Sequence, residues 1–281
     1  MTTTGLDHVG VAVPDLDAAA AEWTSLGFTL QPLAPHLSDG QPTGTGNRNI
    51  MLRQGYIELL ATIDIAGFPG RPSATIARFL AHHIGIHVLT LAMEDEEAAA
   101  ARLTRAGFSP TITRSSRPAD PADPHGPQAE FARIPLTDAD PRLQLLRHLT
   151  PALVWQDRFL THPNRAIALR EVIIAADASF AAHLARAAGL PIHPDPAGGY
   201  ALRLPGQQSV RVVPPDAAAH LLPGAAIPSL PAIPSLPAII GLVIETADQA
   251  AIAALLGQDP AGPLIATASG VTLRFTGAPK T

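Results

Sequence analysis

Cysteine is missing altogether from the 281 residues. That excludes disulfides and thiolate metal ligands and leaves the redox compartment open. Charge is also thin: Asp, Glu, Lys and Arg make up 15% of the chain and sum to a net charge of −5. Nucleic-acid binders carry a basic excess or stripe, and none is present. No apolar run approaches the length needed to span a bilayer. The N-terminus lacks the basic start and long apolar stretch of a signal peptide. The expected setting is therefore cytoplasmic, with no membrane or nucleic-acid partner. Aromatic residues are few, at 4%. What is plentiful is aliphatic: hydrophobic residues reach 47% and mean hydropathy is +0.19, enough for a real core in one large domain or two ordinary ones. The 29 prolines fall mostly between periodic segments, where they stiffen loops without removing ladder hydrogen bonds.

The informative signal is repetition. The stretch LDHVGVAVPD carries His8 and reaches Asp15 seven residues later; an alanine-rich segment follows and ends at Leu26-Gly27-Phe28. GIHVLTLAME repeats the interval from His87 to Glu94, with Ala106-Gly107-Phe108 at the end of its helical segment. LREVIIAAD gives Arg170, Asp177 and Gly189, and IGLVIETAD gives Gly241, Asp248 and Gly257. Each β-branched run suits a strand. The acidic residue suits a helix N-cap, and the glycine suits a left-handed C-cap. Strand-like segments follow each helix: FTLQPLA, GNRNIMLRQG and YIELLATI in the first copy, FSPTITRS, AEFARIPLT and RLQLLRHL in the second. Gln54-Gly55 reads as a hairpin turn. The third and fourth copies are shorter. The unit is strand–helix–strand–strand–strand.

Two segments interrupt it. Ala152 to Asn164 joins copies two and three, with Trp155 and Phe159 expected to pack across the seam between halves. The repeated IPSLPA stretch is too proline-dense for a helix or central strand, and reads as a stiff connector. The expected organisation is a domain over 1–164, with modules 5–66 and 84–150 plus the connector. A degenerate second pair covers 165–281, with modules 168–215 and 238–277 and a Pro-rich linker 223–237.

With LDHVGVAV, GTGNRNIML, GYIELLA and QLLRHLTPALVW, the chain resembles glyoxalase-like proteins of the vicinal oxygen chelate superfamily, most clearly over residues 5–164. The resemblance implies an α+β fold of four βαβββ modules forming two paired, cup-shaped mixed sheets, as in the glyoxalase/bleomycin resistance/dioxygenase group. In metal enzymes of that group the first and last strands of each unit supply the ligands. By position this implies His8 and Glu58 in the first unit, and His87 with Gln144 in the second. His148, four residues beyond Gln144, is the competing choice and a candidate ligand contact.

Two imidazoles and a carboxylate would suit Zn, Fe, Mn or Ni, with no nucleotide or organic cofactor expected. Glu58 on a buried strand needs a partner: a metal ion, or Arg48 or Arg53. Displaced from the ion, it would serve as the catalytic proton carrier. Asn47 and Arg48 beside the GTG turn, with Tyr56, are candidates for contacting substrate, and His36 is a weaker one. GTGNR is no phosphate loop, because the lysine and following helix are missing.

The implied activity is divalent-metal-dependent chemistry on a small metabolite with vicinal oxygens, of isomerase, lyase or dioxygenase type. The alternative is a metal-free cup that binds or sequesters a small molecule. The protein is expected to be a monomer or homodimer. The second half, with Arg170 and Gly241 at the histidine positions, departs from the metal pattern.

Overall fold

The computed structural model describes residues 3–38, 40–64, 74–137, 141–222 and 236–278. The first unit is β1 (Gly5–Ala12), α1 (Leu16–Ser25), β2 (Ala34–Ser38), β3 (Gln41–Met51) and β4 (Tyr56–Thr62). A short helix, α2 (Ala74–Leu80), leads to β5 (Gly85–Ala92), α3 (Glu96–Arg105), β6 (Thr113–Pro118), β7 (Gln128–Pro135) and β8 (Arg142–His148). After α4 (Pro151–Val154) come β9 (Ala166–Ala175), α5 (Ala178–Ala188), β10 (Ile192–Pro194), β11 (Tyr200–Leu204) and β12 (Gln208–Val213). The last stretch is α6 (Pro215–Leu221), β13 (Ala238–Thr246), α7 (Gln249–Leu256), β14 (Leu264–Ala268) and β15 (Val271–Gly277). This is a mixed α+β architecture of repeating βαβββ-like elements; the fourth has two strands after its helix. Residues 223–235 of the expected proline-rich linker lie outside the described residues. Among the described residues no helix is long and apolar enough to cross a membrane.

The first eight strands run β1-β4-β3-β2-β6-β7-β8-β5 and close into a barrel-like cup. Closure rests on one narrow pairing, Leu37 with Ser116. The remaining seven strands form an open sheet, β10-β11-β12-β9-β13-β15-β14. The helix-covered faces of both sheets share one core: Val9, Val11 and Trp23 from the first half lie in the same cluster as Leu169, Val172 and Phe275 from the second.

Buried polar groups pin the halves together. Trp23 donates its indole N–H to Ser269 Oγ at 3.0 Å. Fully buried Asn164 donates to Leu26 O at 2.8 Å and accepts from Ala166 N at 3.0 Å. Its backbone N–H bonds Gly27 O at 3.1 Å. Gly27 has φ +76, and a Cβ there would meet Asn164 N at 3.0 Å, so glycine is required twice over. Trp155 and Phe159 do not span this seam. Trp155 bonds Leu52 O and packs edge-on to Tyr56 and His148, while Phe159 joins the same cluster, which seals one end of the cup. Ile76 and Phe79 of α2 cover the other end, beside Ala12 and Leu60.

Helix caps correct the sequence alignment by one residue. Asp15 accepts from Asp17 N and Ala18 N, and Asp177 and Asp248 cap their helices likewise. In the second unit the cap is Asp95, which accepts from Ala98 N, and not Glu94. The strand register agrees: His8 pairs with Thr90 and Gly10 with Val88. A shift of 80 residues maps each of these pairs onto the other. His8 therefore corresponds to Val88, and His87 corresponds to Asp7. Both Asp7 and His87 are extra residues at register breaks, between Leu6 and His8 and between Ile86 and Val88. Such β-bulges re-aim a side chain. The same break recurs in the second sheet at Arg170 and Ile240, so Glu171 holds the place of His8 that the sequence spacing gives to Arg170.

Candidate functional site

The cup encloses a cavity of about 380 Å³ lined by His8, His36, Asn47, Tyr56, Glu58, His87 and Gln144, among others. Alternation along β1 and β4 places His8, Gly10, Tyr56 and Glu58 on this concave face, in the register His8 with Tyr56 and Gly10 with Glu58. The equivalent pairing in the second unit sets Thr90 beside Gln144, so Gln144 does stand opposite Glu58 in the internal symmetry. Gly10 lets Val88, His87 and Glu58 approach its Cα closely. A Cβ there would lie 3.3 Å from His87 Nε2 and 3.4 Å from Glu58 Oε2, so both groups border that missing methyl.

Glu58 accepts from Asn47 Nδ2 at 2.7 Å, with His36 Nε2 at 3.5 Å and His8 Nε2 at 3.7 Å. Burial would raise its pKa, but the His36 hydrogen bond, the nearby imidazoles and Asn47 outweigh that and hold it well below the usual carboxylate range. Neither Arg48 nor Arg53 is its partner. Arg48 points away from the cup and pairs with Asp17 at 2.7 Å, which removes it from the substrate contacts expected of it.

His8 is tied at both nitrogens. Nδ1 lies 2.6 Å from Asp7 Oδ1, and Nε2 lies 3.0 Å from Thr90 Oγ1. Thr90 Oγ1 in turn accepts from Gln144 Nε2 at 2.8 Å. Ionised Asp7 can only accept, so His8 donates to it from Nδ1, and in the singly protonated ring Nε2 is then the acceptor for the Thr90 hydroxyl. The other Asp7 oxygen is held by His148 Nε2 at 2.9 Å. Burial alone would raise the Asp7 carboxyl; His148 and His8 overcome it and bring the pKa to about 2. His148 thus stands behind the cup wall, against Tyr56, Phe131 and Trp155, and supports His8 through Asp7. Tyr56 stacks on His8 at 4.5 Å. Burial, with Asp7 and Glu58 nearby, raises its phenol well above the ordinary value.

His87 differs from all of these. Its side chain is 1% exposed, and neither ring nitrogen has a hydrogen-bond partner. Burial lowers its pKa from 6.5 to about 4, with Glu58 opposing and Arg142 and His8 assisting. At neutral pH it is an uncharged imidazole with one idle N–H and one idle lone pair.

Two of the side chains expected to ligate a divalent ion are engaged with other groups. His8 Nε2 is occupied by the Thr90 hydroxyl, the Gln144 amide is directed to the same hydroxyl, and Val88 holds the position symmetric with His8. Among the described residues no group of three or more His, Asp or Glu side chains is arranged to hold a metal ion. Arg117, Arg133 and Arg142, which the sequence alone did not single out, also line the cavity. Arg133 and Arg142 alternate with apolar residues on β7 and β8, whereas Arg117 lies in the polar strand TRSSRP and gave no such signal.

The closed cup and its companion sheet have the architecture of the vicinal oxygen chelate superfamily, the glyoxalase/bleomycin-resistance/dioxygenase group. A family model described as "Glyoxalase-like domain" matches residues 6–188, and the chain belongs to that family. Among solved structures, a hypothetical protein from Staphylococcus aureus is similar over 98% of this chain and 99% of its own, at 13% identity and a TM-score of 0.65. A mutant 4-hydroxymandelate synthase from Streptomyces coelicolor is similar over 92% of this chain and 75% of its own, at 17% identity and a TM-score of 0.56. A xylose isomerase-like TIM barrel/4-hydroxyphenylpyruvate dioxygenase fusion protein covers 90% of this chain and 38% of its own, at 16% identity and a TM-score of 0.52. At such identities the likeness is one of fold. No curated protein is significantly similar to the chain in sequence.

Proposed function

We propose that the first cup binds a small oxygen-bearing organic molecule through Glu58, Asn47 and His87, with no resident metal ion needed for binding. The observation that carries this reading is His87: an imidazole buried in the wall of a cavity with both nitrogens idle. An unsatisfied buried polar group costs about 1–3 kcal/mol, and a ligand that bonds it recovers that energy. His87 can donate to a carbonyl or hydroxyl oxygen. Glu58, anionic and lining the same cavity, can accept from a hydroxyl. A molecule with adjacent oxygens meets both.

The geometry supports holding and polarising such a molecule more than moving a proton. Carboxylates and imidazoles with strongly lowered pKa values are weak bases, and this applies to Glu58 and His87 alike. Glu58 therefore acts as a fixed charge and acceptor in the free protein, and the proton-carrier role expected from the sequence needs a ligand that removes its present partners.

A divalent-metal enzyme is the second reading. The same idle His87 lone pair and the 3.7 Å approach of His8 to Glu58 favour it. Rotation of Thr90 would release His8.

Elemental analysis of untagged protein separates the two. The expected result is no stoichiometric Zn, Fe, Mn or Ni, together with movement of the His87 ring ¹⁵N resonances when small hydroxy-carbonyl compounds are titrated in. One equivalent of metal that is lost on Glu58→Ala would overturn the metal-free reading.

A further inference from the structure

The cup is electrically divided. Strands of the first unit supply Asn47, Glu58 and His8, whereas β6, β7 and β8 of the second supply Arg117, Arg133 and Arg142 to the same cavity. Arg117 is 4% exposed, and its one side-chain hydrogen bond among the described residues is a long 3.3 Å contact to Gln31 Oε1. Arg133 and Arg142 each have a buried Nε–H with no acceptor. Among the described residues, the ion pairs formed by carboxylates involve none of these three arginines. Three other arginines of this half, Arg48, Arg114 and Arg147, do have carboxylate partners. Three guanidiniums therefore face one ionised carboxylate, Glu58, and a neutral His87 across a small cavity. Guanidiniums do not lose their protons in proteins, so this excess of positive charge persists at every working pH. Burying unpaired charge is expensive, and a bidentate carboxylate is the group that matches a guanidinium fork.

We propose that the occupant of the cup is a small organic anion, a hydroxy or oxo carboxylic acid. Its carboxylate is held by Arg117, Arg133 and Arg142, and its second oxygen function is turned toward His87 and Glu58. This deepens the binding reading above and rests on it. The idle donors lie on the arginine wall, and the idle or charged acceptors, Glu58 and Asn47 Oδ1, lie on the other. A ligand with an acidic end and a hydroxyl end satisfies both walls in one orientation. A neutral polyol leaves the arginines unpaired, and an acid with no other polar group leaves His87 idle.

The test is calorimetric titration with 2-oxoglutarate, malate and lactate, each beside its neutral methyl ester. The protein is wild type, Arg133→Gln/Arg142→Gln or Arg142→Lys, with circular dichroism as the folding check. Acids should bind wild type at least tenfold more tightly than their esters. The double variant should lose roughly tenfold or more in acid affinity, as expected for a hydrogen-bonded charge pair, with little change for esters. Arg142→Lys keeps the charge and the fold, and should lose less. Should the double variant fail to fold, Arg117→Gln with the Lys variant reads the same loss. Esters binding as well as acids, and equally in the variants, would refute the anion assignment while leaving the cup as a binding site. If neither class binds and the His87 resonances stay still, both proposals fall.

Discussion

Replacing His87 by leucine should make the protein more stable, an unusual outcome for a fully buried position. Nearly all buried polar groups in folded proteins have hydrogen-bond partners, and His87 has none at either nitrogen. Removing one idle donor and one idle acceptor gains about 1–3 kcal/mol each, and a leucine of similar volume costs up to about 1.5 kcal/mol in repacking against Phe79 and Val88. Together these give roughly 0.5–6 kcal/mol in favour of the variant at pH 7.5. The difference should widen in acid. His87 titrates at about 4 in the folded protein and at 6.5 when unfolded, so between those values the unfolded chain binds more protons and stability falls as pH falls. Lowering the ring from 6.5 to about 4 corresponds to about 3 kcal/mol, present in full above pH 6.5 and lost by pH 4. Glu58, Arg142 and His8 are the charged or titrating groups that act on this ring; they remain in the variant, as do His83, His162 and His183, whose values burial also lowers. The difference between the two proteins therefore isolates His87. Urea unfolding at half-unit steps from pH 7.5 to 4.5 measures it. A leucine variant less stable than wild type by more than 1 kcal/mol at pH 7.5, or one with the same pH slope, would refute the idle-imidazole argument.

Gly10→Ala should cost about 1–3 kcal/mol, because its Cβ would sit 2.5 Å from Val88 Cγ1; adding Val88→Ala removes that clash and should restore most of the stability in thermal melts. Asp7→Asn should destabilise by about 2 kcal/mol, the equivalent of lowering its carboxyl from 3.8 to about 2, by removing the carboxylate between His8 and His148, and chemical denaturation should show it. Because the Asp7 pKa is lowered to about 2 from 3.8, its stabilisation is complete above pH 3.8 and disappears toward pH 2, so wild type and variant should converge in that window. Asn164→Ala should cost about 2–4 kcal/mol by leaving Leu26 O and Ala166 N unpaired at the junction of the halves, with early hydrogen exchange at Ala166 as the local sign.

The repeat of strand, acidic cap, alanine-rich helix and glycine was legible in the sequence because each part is a local preference. Asp15, Asp177 and Asp248 cap helices as their spacing requires. Adjacent acids defeated that reading at Glu94-Asp95: either can cap, and tertiary register chose Asp95. The one-residue error carried over to His87, which spacing pairs with His8 but whose place in the ladder is that of Asp7. A bulge leaves no mark in composition. Glu58 was readable as a charge on an apolar strand, whereas Arg48 sits on the same hairpin with the opposite facing and closes on Asp17. Arg133 and Arg142 went unread because arginine alternating with apolar residues describes an ordinary solvent-facing strand, and Arg117 because the polar strand TRSSRP reads the same way. Only closure of the sheet through Leu37 and Ser116 turns that face inward.

The second sheet repeats the geometry and shows why its concave face is not a second site of this kind. At the place of His8 it has Glu171, which accepts from Ser209 Oγ and pairs with Arg211 at 3.1 Å. Arg211 also approaches Asp195 at 3.4 Å. At the bulge, Arg170 pairs with Glu245 and bonds Gln54 and Gly206 O. Positive and negative groups there neutralise one another, and a ligand entering would have to break pairs before making any. In the first cup the opposite charges stand on separate walls, with the His87 ring idle and the Arg133 and Arg142 Nε–H groups without acceptors. Two sheets built on one pattern thus differ in charge pairing: Arg170 and Arg211 of the second have carboxylate partners, whereas among the described residues Arg117, Arg133 and Arg142 of the first have none.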